Sequence, residues 1–185
     1  MRKIPISGGP HSGKTTLLEA LKTEFPGAYF VPEPAETVIT RELSKVAGDP
    51  TYTPVVPWID YTKFGPAVAD ESEVLEAAIP SGVDIVFQDR CLIDTIGYAL
   101  LNGFNSFVPE VQRRARIAHY AFALFCEPVG AYTPTDIRRE TAEEARRTHG
   151  FLAQAYEEFG IPVVRLPAVP VDERISIIRD SIETF

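Results

Sequence analysis

The chain has 185 residues, 45% of them hydrophobic, a length and composition that suit one domain (1–185) with a substantial core. Its formal net charge of -8 disfavours a nucleic acid or an anionic membrane as partner, except at a local basic patch. No apolar run approaches membrane-spanning length, the charged start leaves no room for a signal peptide, and two distant cysteines predict no disulfide framework, so we expect a cytoplasmic protein.

The first predicted elements are a short strand over 3–7, a glycine-rich turn and a helix over 15–25. The turn fits the pattern G-x-x-x-x-G-K-[ST] without a mismatch. In such a turn backbone N–H groups surround phosphate oxygens, Lys14 reaches the outer phosphates and the Thr15 hydroxyl is placed to bind Mg²⁺. The predicted nucleotide-binding residues are Gly8, Gly9, Pro10, His11, Ser12, Gly13, Lys14, Thr15 and Thr16. The turn therefore predicts binding of a nucleoside triphosphate, ATP or GTP, with Mg²⁺.

The second predicted strand, over 28–31, leads to Glu33 and then to a helix over 35–46. A carboxylate at the carboxyl end of a strand faces the ligand crevice of a parallel sheet, where it could accept the proton of a substrate hydroxyl. An acceptor that is already a phosphate needs no such base, so Glu33 favours a hydroxyl acceptor. The alternative is a helix N-terminal acid that the helix dipole stabilises.

The segment 49–82 is predicted to be an insertion on the substrate side, irregular over 49–68 and then a short helix over 72–79. The irregular part is expected because prolines occur at positions 50, 54, 57 and 66. Trp58 and Tyr61 could stack there on a planar substrate. The alternative, equally favoured by the sequence, is that these rings seal the edge of the core beneath a loop.

The third predicted strand, over 83–87, brings Asp89 and Arg90 to its carboxyl end, before a helix over 92–101. Asp89 could hold Mg²⁺ directly or through water, whereas the alternative is a surface carboxylate paired with Arg90. Arg90 is predicted to orient Glu33 or the substrate.

A helix over 109–119 and a fourth strand over 120–125 come next. The arginines of this helix are interpreted as a solvated face; they are Arg113, Arg114 and Arg116. His119 and His149 are interpreted as structural, because histidines and cysteines nowhere have metal-ligand spacing.

Residues 127–140 are an irregular segment just before a long helix and are predicted to form a mobile lid. Arg138 and Arg139 lie in it, and a guanidinium delivered on closure can stabilise transition-state charge. The alternative is a solvated helix start, although cations are mildly unfavourable at a helix N-terminus.

The last predicted elements are a helix over 141–159 that ends at Gly160, an edge strand over 161–166 and a helix capped by Asp172. The turn over 167–170 follows the fifth strand, where folds with such a phosphate loop contact the adenine ring through main-chain atoms, so it is expected to contact the nucleotide base. This alternation of strands and helices predicts an α/β fold, with a five-stranded parallel sheet covered on both faces.

The series of motifs resembles the small P-loop ATPase/kinase family that includes the ribosylnicotinamide kinase domain of bacterial NAD-biosynthesis regulators, within the P-loop nucleoside and nucleotide kinases. The stretches that carry the resemblance are 8–16, 31–35, Asp89-Arg90 with Asp94 and Tyr98, 136–140 and 156–160. The resemblance implies a three-layer P-loop kinase fold with strand order 2-3-1-4-5. It leaves the substrate open, because such families include kinases, NTPases and nucleotide-binding regulators.

The function expected is ATP- and Mg²⁺-dependent transfer of a phosphoryl group to a hydroxyl of a small nucleoside-like molecule. One alternative is a nucleotide-binding NTPase or switch that acts through a partner. Another is a kinase acting on a modified base or an end in nucleic acid, which the net charge disfavours.

Overall fold

The computed structural model describes residues 1–129 and 141–185, in which five strands form one parallel sheet. The strands are β1 (Arg2–Ser7), β2 (Tyr29–Val31), β3 (Ile85–Asp89), β4 (Ala123–Cys126) and β5 (Val163–Leu166). Their order is β2-β3-β1-β4-β5, and every pairing is parallel. The α/β fold predicted from the alternating pattern and the strand order implied by the resemblance are both confirmed.

Helices cover the sheet on both faces. They are α1 (Lys14–Glu24), α2 (Pro34–Gly48), α3 (Tyr61–Ala77), α4 (Leu92–Leu101), α5 (Val108–Ala118), α6 (Ala142–Phe159) and α7 (Val171–Thr184), with a 3₁₀ turn over Asn105–Phe107. Successive side chains of β4 point to opposite faces of the sheet. Leu124 packs with α1 and α7 on one face, whereas Phe125 packs with α4, α5 and α6 on the other. The apolar runs of the sequence therefore become the two sides of a buried sheet.

The carboxyl ends of the parallel strands meet at one edge of the sheet. Ser7 ends β1, Asp89 ends β3 and Cys126 ends β4, and the register places Ile6 beside Asp89. The chain that leaves β1 enters α1 at this edge, so the helix N-terminus points toward the same crevice. This arrangement is the one in which open α/β sheets bind ligands.

Residues 61–77 form one continuous helix, so the prediction of irregular chain up to 68 and a short helix over 72–79 is wrong. The side chain of Asp60 caps α3 by accepting from the backbone N–H of Thr62 at 3.0 Å. Pro66 lies inside the helix and removes one backbone donor. Burial of Phe64 and Ala69 against the rest of the protein, together with the cap, outweighs that loss.

Several element ends differ from the predicted ones. β3 continues through Asp89 rather than ending at residue 87, and β4 begins at Ala123 because Tyr120 makes only an isolated bridge with Lys3. The predicted cap at Asp172 is wrong, since α7 starts after Pro170 without a side-chain cap bond. The predicted helix end at Gly160 is confirmed by its left-handed φ of 82°.

Arg114 is buried, so the interpretation of the α5 arginines as a solvated face is wrong for this residue. Its guanidinium donates to Glu73 and Asp70 of α3, each at 2.8 Å. The exposed fraction of Arg114 is 8%, whereas Arg113 and Arg116 are exposed. Arg114 thus joins α5 to α3, a tertiary contact that sequence periodicity does not reveal.

Cys91 and Cys126 are both buried free thiols. Within the two described ranges, we find no helix that is both long and apolar enough to cross a membrane.

Candidate functional site

The predicted phosphate loop connects β1 to α1, and its backbone requires glycine at particular positions. Gly8 has a φ of 138° and Gly13 a φ of 75°, which L side chains rarely adopt. A Cβ atom on Gly8 would lie 2.5 Å from the carbonyl oxygen of Cys126, and one on Gly9 would lie 2.7 Å from the Cβ of His149. The loop is therefore pressed against β4 on one side and α6 on the other.

Lys14 is the first residue of α1 and folds back over the loop. Its Nζ lies 3.4 Å from the carbonyl oxygen of Gly8. Burial lowers the pKa of Lys14, and the positive charge of Arg90 adds to this effect. A phosphate group bound in the loop would relieve this cost, because it would place anionic oxygens beside the ammonium group.

Asp89 lies beside the loop at the end of β3. Its Oδ1 atom is buried and, among the described residues, has no hydrogen-bond donor. Burial, followed by the nearby Glu33 carboxylate, raises the pKa of Asp89 to about 6. A buried carboxylate oxygen without a donor is suited to a cation. Because Mg²⁺ commonly takes one or two protein ligands and completes its shell with water and substrate phosphates, Asp89 and the exposed Thr15 hydroxyl fit this ion.

Arg90 joins several parts of the site. Its Nε donates to Oε1 of Glu33 at 3.1 Å, and its Nη1 donates to Oδ1 of Asp94 at 3.0 Å. Its Nη2 donates to the carbonyl oxygen of Gly8 at 3.3 Å, and the guanidinium lies 5.3 Å from the ring centre of Tyr98. All three nitrogens of this buried side chain therefore have an acceptor within the protein.

Asp94, which accepts from Arg90, is itself held by three further hydrogen bonds. Its Oδ1 also accepts from the Ser7 hydroxyl at 2.5 Å, and its Oδ2 accepts from the Cys91 backbone N–H at 3.0 Å and the Tyr156 hydroxyl at 2.7 Å. The carboxylate, which is 2% exposed, is thus fully hydrogen-bonded. A network of this kind fixes the orientation of the arginine, and through it that of the carboxylate that the arginine holds.

Arg174, which sequence reasoning missed, joins the phosphate loop to two other loops, those that follow β4 and β5. Its guanidinium donates to the carbonyl oxygens of Ser12 at 2.7 Å, Pro167 at 2.8 Å and Glu127 at 3.2 Å. It is 2% exposed. The one signal in the sequence is its position four residues before Ile178, which places it on the buried face of α7.

A cleft of about 950 Å³ extends over the phosphate loop. Besides the loop and the start of α1, it is lined by Glu33, Glu36, Arg90, Tyr98, Val129, Val169, Pro170, Val171 and Arg174. Its volume suits a nucleotide. Residues of the turn predicted to contact the base are thus found in its wall.

A second, smaller cavity of about 390 Å³ adjoins the cleft. Glu33, Arg90 and Tyr98 line both cavities, so they form the partition between them. The rest of the smaller cavity is mainly apolar or aromatic and includes Ile39, Pro57, Tyr61, Phe64, Val68 and Leu101. Asp94, Thr95, Asn102 and Thr148 add polar groups to its wall.

Among the described residues, the structure brings the predicted site residues together with the exception of Trp58. Tyr61 lines the smaller cavity, but Trp58 is 66% exposed and is not among the residues lining either cavity. Arg138 and Arg139 lie outside the described residues, as does the predicted lid except for its first three positions.

A family model described as an AAA domain matches residues 3–174. A probable thymidylate kinase of Halorubrum lacusprofundi is 30% identical over 159 residues, covering 83% of this chain and 76% of that protein. A thymidylate kinase of Wolinella succinogenes is 31% identical over 115 residues, covering 58% of this chain and 57% of that protein. The match to the second relative thus spans little more than half of either protein.

Solved structures of kinases share the fold. Thymidylate kinase from Candida albicans superposes with a TM-score of 0.64 at 15% identity, covering 99% of this chain and 91% of that one. The NadR protein in complex with NR gives a TM-score of 0.67 at 20% identity, covering 97% of this chain but 49% of that one. The chain belongs to the AAA domain family AAA_28, and it is a P-loop kinase related to thymidylate kinases.

Proposed function

We propose that this kinase transfers the terminal phosphoryl group of ATP, or of GTP, to a hydroxyl of a small, uncharged, nucleoside-like molecule. The observation that carries the proposal is the partition between the two cavities. The carboxylate of Glu33 faces both of them, and the guanidinium of Arg90 beside it is already bound by protein acceptors.

The charge of the smaller cavity argues against a phosphorylated acceptor. Arg90 is the single cation among the described residues that line it, and Glu33, Asp94 and the carbonyl of Gly8 occupy its three nitrogens. A nucleoside monophosphate would bring a dianion next to two carboxylates, without an unengaged cation on that wall. A neutral hydroxyl would instead meet a carboxylate that can accept its proton.

The shape of the smaller cavity supports a flat acceptor. Tyr61 and Phe64 from α3 and Tyr98 from α4 supply aromatic surface to its wall. Rings of this type stack on planar groups such as nucleobases. The polar atoms of Asn102 and Thr148 provide hydrogen-bond partners for the edge of such a ring.

Each side chain then has a defined role. The loop amides and Lys14 bind the phosphates, and Asp89 with Thr15 would hold Mg²⁺, which when bound neutralises phosphate charge. Glu33 accepts the proton of the acceptor hydroxyl, and Arg90 keeps its carboxylate oriented at the partition. Arg138 and Arg139 are proposed to supply a further guanidinium to the phosphates.

Release of ADP in the presence of candidate acceptors tests the proposal. The panel consists of nucleosides, ribosylnicotinamide included, each beside its monophosphate. We expect nucleosides to raise ADP release above the background with water, and Lys14→Ala to abolish the increase. Stimulation by monophosphates alone would instead assign a thymidylate-kinase type of acceptor and overturn the proposal.

The same experiment separates the other candidate functions. If no acceptor stimulates turnover, while bound nucleotide changes the affinity for a protein partner, the chain acts as a switch. An acceptor within nucleic acid would be recognised by binding that weakens steeply with salt, because phosphate contacts release counterions.

A further inference from the structure

His149, on α6, is hydrogen-bonded to the phosphate loop. Its Nδ1 atom lies 3.3 Å from the backbone nitrogen of Gly9, which donates to it. Its Nε2 atom lies 3.2 Å from Oε2 of Glu127, at the end of β4. Because the Gly9 N–H needs a lone pair on Nδ1, the ring proton must lie on Nε2, and this geometry requires the neutral imidazole.

The surroundings keep the imidazole in this form. The ring is half-buried and packs edge-to-face against Phe125 of β4, with 5.0 Å between the ring centres. The charged groups that face it are Glu127, which directly follows β4, and Arg165 from β5, which are joined to each other at 2.8 Å. Burial is the main cause that lowers the pKa of His149; Arg165 lowers it further and Glu127 opposes both.

Protonation of the ring would remove the contact with the loop. An imidazolium carries a proton on each nitrogen, so Nδ1–H would point at the N–H of Gly9 and the hydrogen bond would be lost. The loop and α6 are close at this point, because a Cβ atom on Gly9 would lie 2.7 Å from the Cβ of His149. The Gly9 amide would then lose the hydrogen bond to α6 that orients it, in a loop whose neighbouring amides converge on phosphate.

We propose that His149 is a positioning residue of the phosphate loop, whose neutral imidazole holds the Gly9 amide and whose protonation weakens nucleotide binding. This inference rests on nucleotide binding by the loop and is independent of the identity of the phosphate acceptor. A failure of the proposed acceptor would therefore leave it intact.

The first test measures the Kd of MgADP by calorimetry between about pH 5 and 8, a range that extends well below neutrality because the pKa of His149 is lowered. The wild type is compared with three variants. His149→Asn keeps an acceptor oxygen near the position of Nδ1 but does not titrate, and His149→Phe keeps a ring but has no acceptor. His119→Asn is the matched control, since His119 is exposed, remote from the loop, and in a left-handed conformation that asparagine tolerates.

At the alkaline end of the pH range, we expect the Kd of the wild type to equal that of His149→Asn. At the acidic end, it should approach that of His149→Phe. Relative to His149→Asn, the Kd of the wild type should rise about five-fold between these limits, the equivalent of one neutral hydrogen bond. Titration of ADP and of Asp89 is common to all the proteins and cancels in the ratio of their Kd values. Parallel profiles for all four proteins would overturn the proposal.

A second test uses the wild type alone, so it is independent of how the variants fold. Linkage requires that, if protonation weakens nucleotide binding, bound nucleotide lowers the proton affinity of His149 by the same factor. We expect the pKa of His149, followed by NMR of its ring, to fall when MgADP is added. An unchanged pKa of His149 would contradict the proposal.

Discussion

Arg90 and Glu33 are joined across the edge of the sheet by a hydrogen bond of 3.1 Å from Nε to Oε1. The arginine follows β3, and the glutamate immediately precedes α2, so the bond connects two segments that are 57 residues apart in sequence. It holds a carboxylate at the boundary between the nucleotide cleft and the smaller cavity. This contact is what makes Glu33 a fixed group rather than a mobile surface acid.

Replacing Glu33 by glutamine distinguishes two roles of this side chain, which are the hydrogen bond with Arg90 and the acceptance of a proton from the substrate. The amide oxygen of Glu33→Gln can still accept from Arg90, but the group cannot act as a base. We expect kcat to fall on the order of 10²–10⁴-fold while the Kd of ATP changes little. Steady-state kinetics and calorimetry measure the two quantities, and a variant that retained full turnover would exclude Glu33 as the base.

Tyr156→Phe tests whether the network beneath Arg90 supports activity. The change removes the 2.7 Å hydrogen bond to Asp94 and leaves a buried carboxylate oxygen with one donor fewer. We expect the free energy of unfolding to fall by about 1–3 kcal/mol, together with a lower kcat. Tyr52→Phe is the matched control, because its hydroxyl also donates to a carboxylate at 2.7 Å, that of Glu42, and neither of these residues lines the two cavities. Equal effects of the two variants on kcat would show that Asp94 does not position the site.

Asp89→Asn should stabilise the nucleotide-free protein while removing its activity. The pKa of Asp89 is about 6 in the folded chain and near 3.9 in an unfolded one, so the folded state holds the proton more tightly. The contribution of Asp89 to the free energy of unfolding is therefore fully present below about pH 4, and it is lost as the pH rises through about 6. At neutral pH we expect the variant to gain on the order of 2 kcal/mol, since it lacks the buried charge.

Thermal melts at several pH values, without Mg²⁺ or nucleotide, measure this effect. The gain in Tm should shrink to nothing on acidification below about pH 4. Asp84→Asn is the control for the change in net charge, because Asp84 is exposed at the start of β3. A gain of equal size in both variants, or one that persisted in acid, would show that Asp89 carries no buried-charge cost.

Gly9→Ala tests the close approach of the phosphate loop to α6. The added methyl group would lie 2.7 Å from the Cβ of His149 and 3.1 Å from its Cα, so the loop backbone must move. We expect the Kd of ATP to rise at least about ten-fold, because the loop amides lose their convergence on phosphate. The control is Gly150→Ala, at the position after His149 on α6. Its added methyl group would have no neighbouring atom within 4 Å, so this variant should instead stabilise the protein by about 0.5–1 kcal/mol. Wild-type affinity in Gly9→Ala would show that the loop tolerates displacement.

The parts of this molecule that were predictable from sequence are those that depend on neighbouring residues. The phosphate loop, the alternation of strands and helices, and the arrival of Asp89 and Glu33 at strand ends are all local patterns. Since the ends of parallel strands share one edge, these patterns already placed both carboxylates in one crevice. The sheet order came from the resemblance of the motifs to a kinase family.

The parts that were missed depend on contacts between distant segments. Arg174 binds the carbonyl of Ser12 across 162 positions of sequence, and His149 binds the amide of Gly9 across 140. In sequence, both are unremarkable polar residues on helices. The continuous helix α3 was missed for the same reason, because Pro66 predicts a break that tertiary burial of Phe64 overrides.

The bond formed in the product shows directly whether the acceptor group is a hydroxyl or a phosphate. The preferred acceptor is incubated with MgATP and the wild-type enzyme, and the product is examined by phosphorus NMR and mass spectrometry. We expect a phosphomonoester on a hydroxyl of an acceptor that carried no phosphate, absent with Lys14→Ala and greatly reduced with Glu33→Gln. A phosphoanhydride formed on a nucleoside monophosphate, at a rate unaffected by Glu33→Gln, would contradict the proposed function.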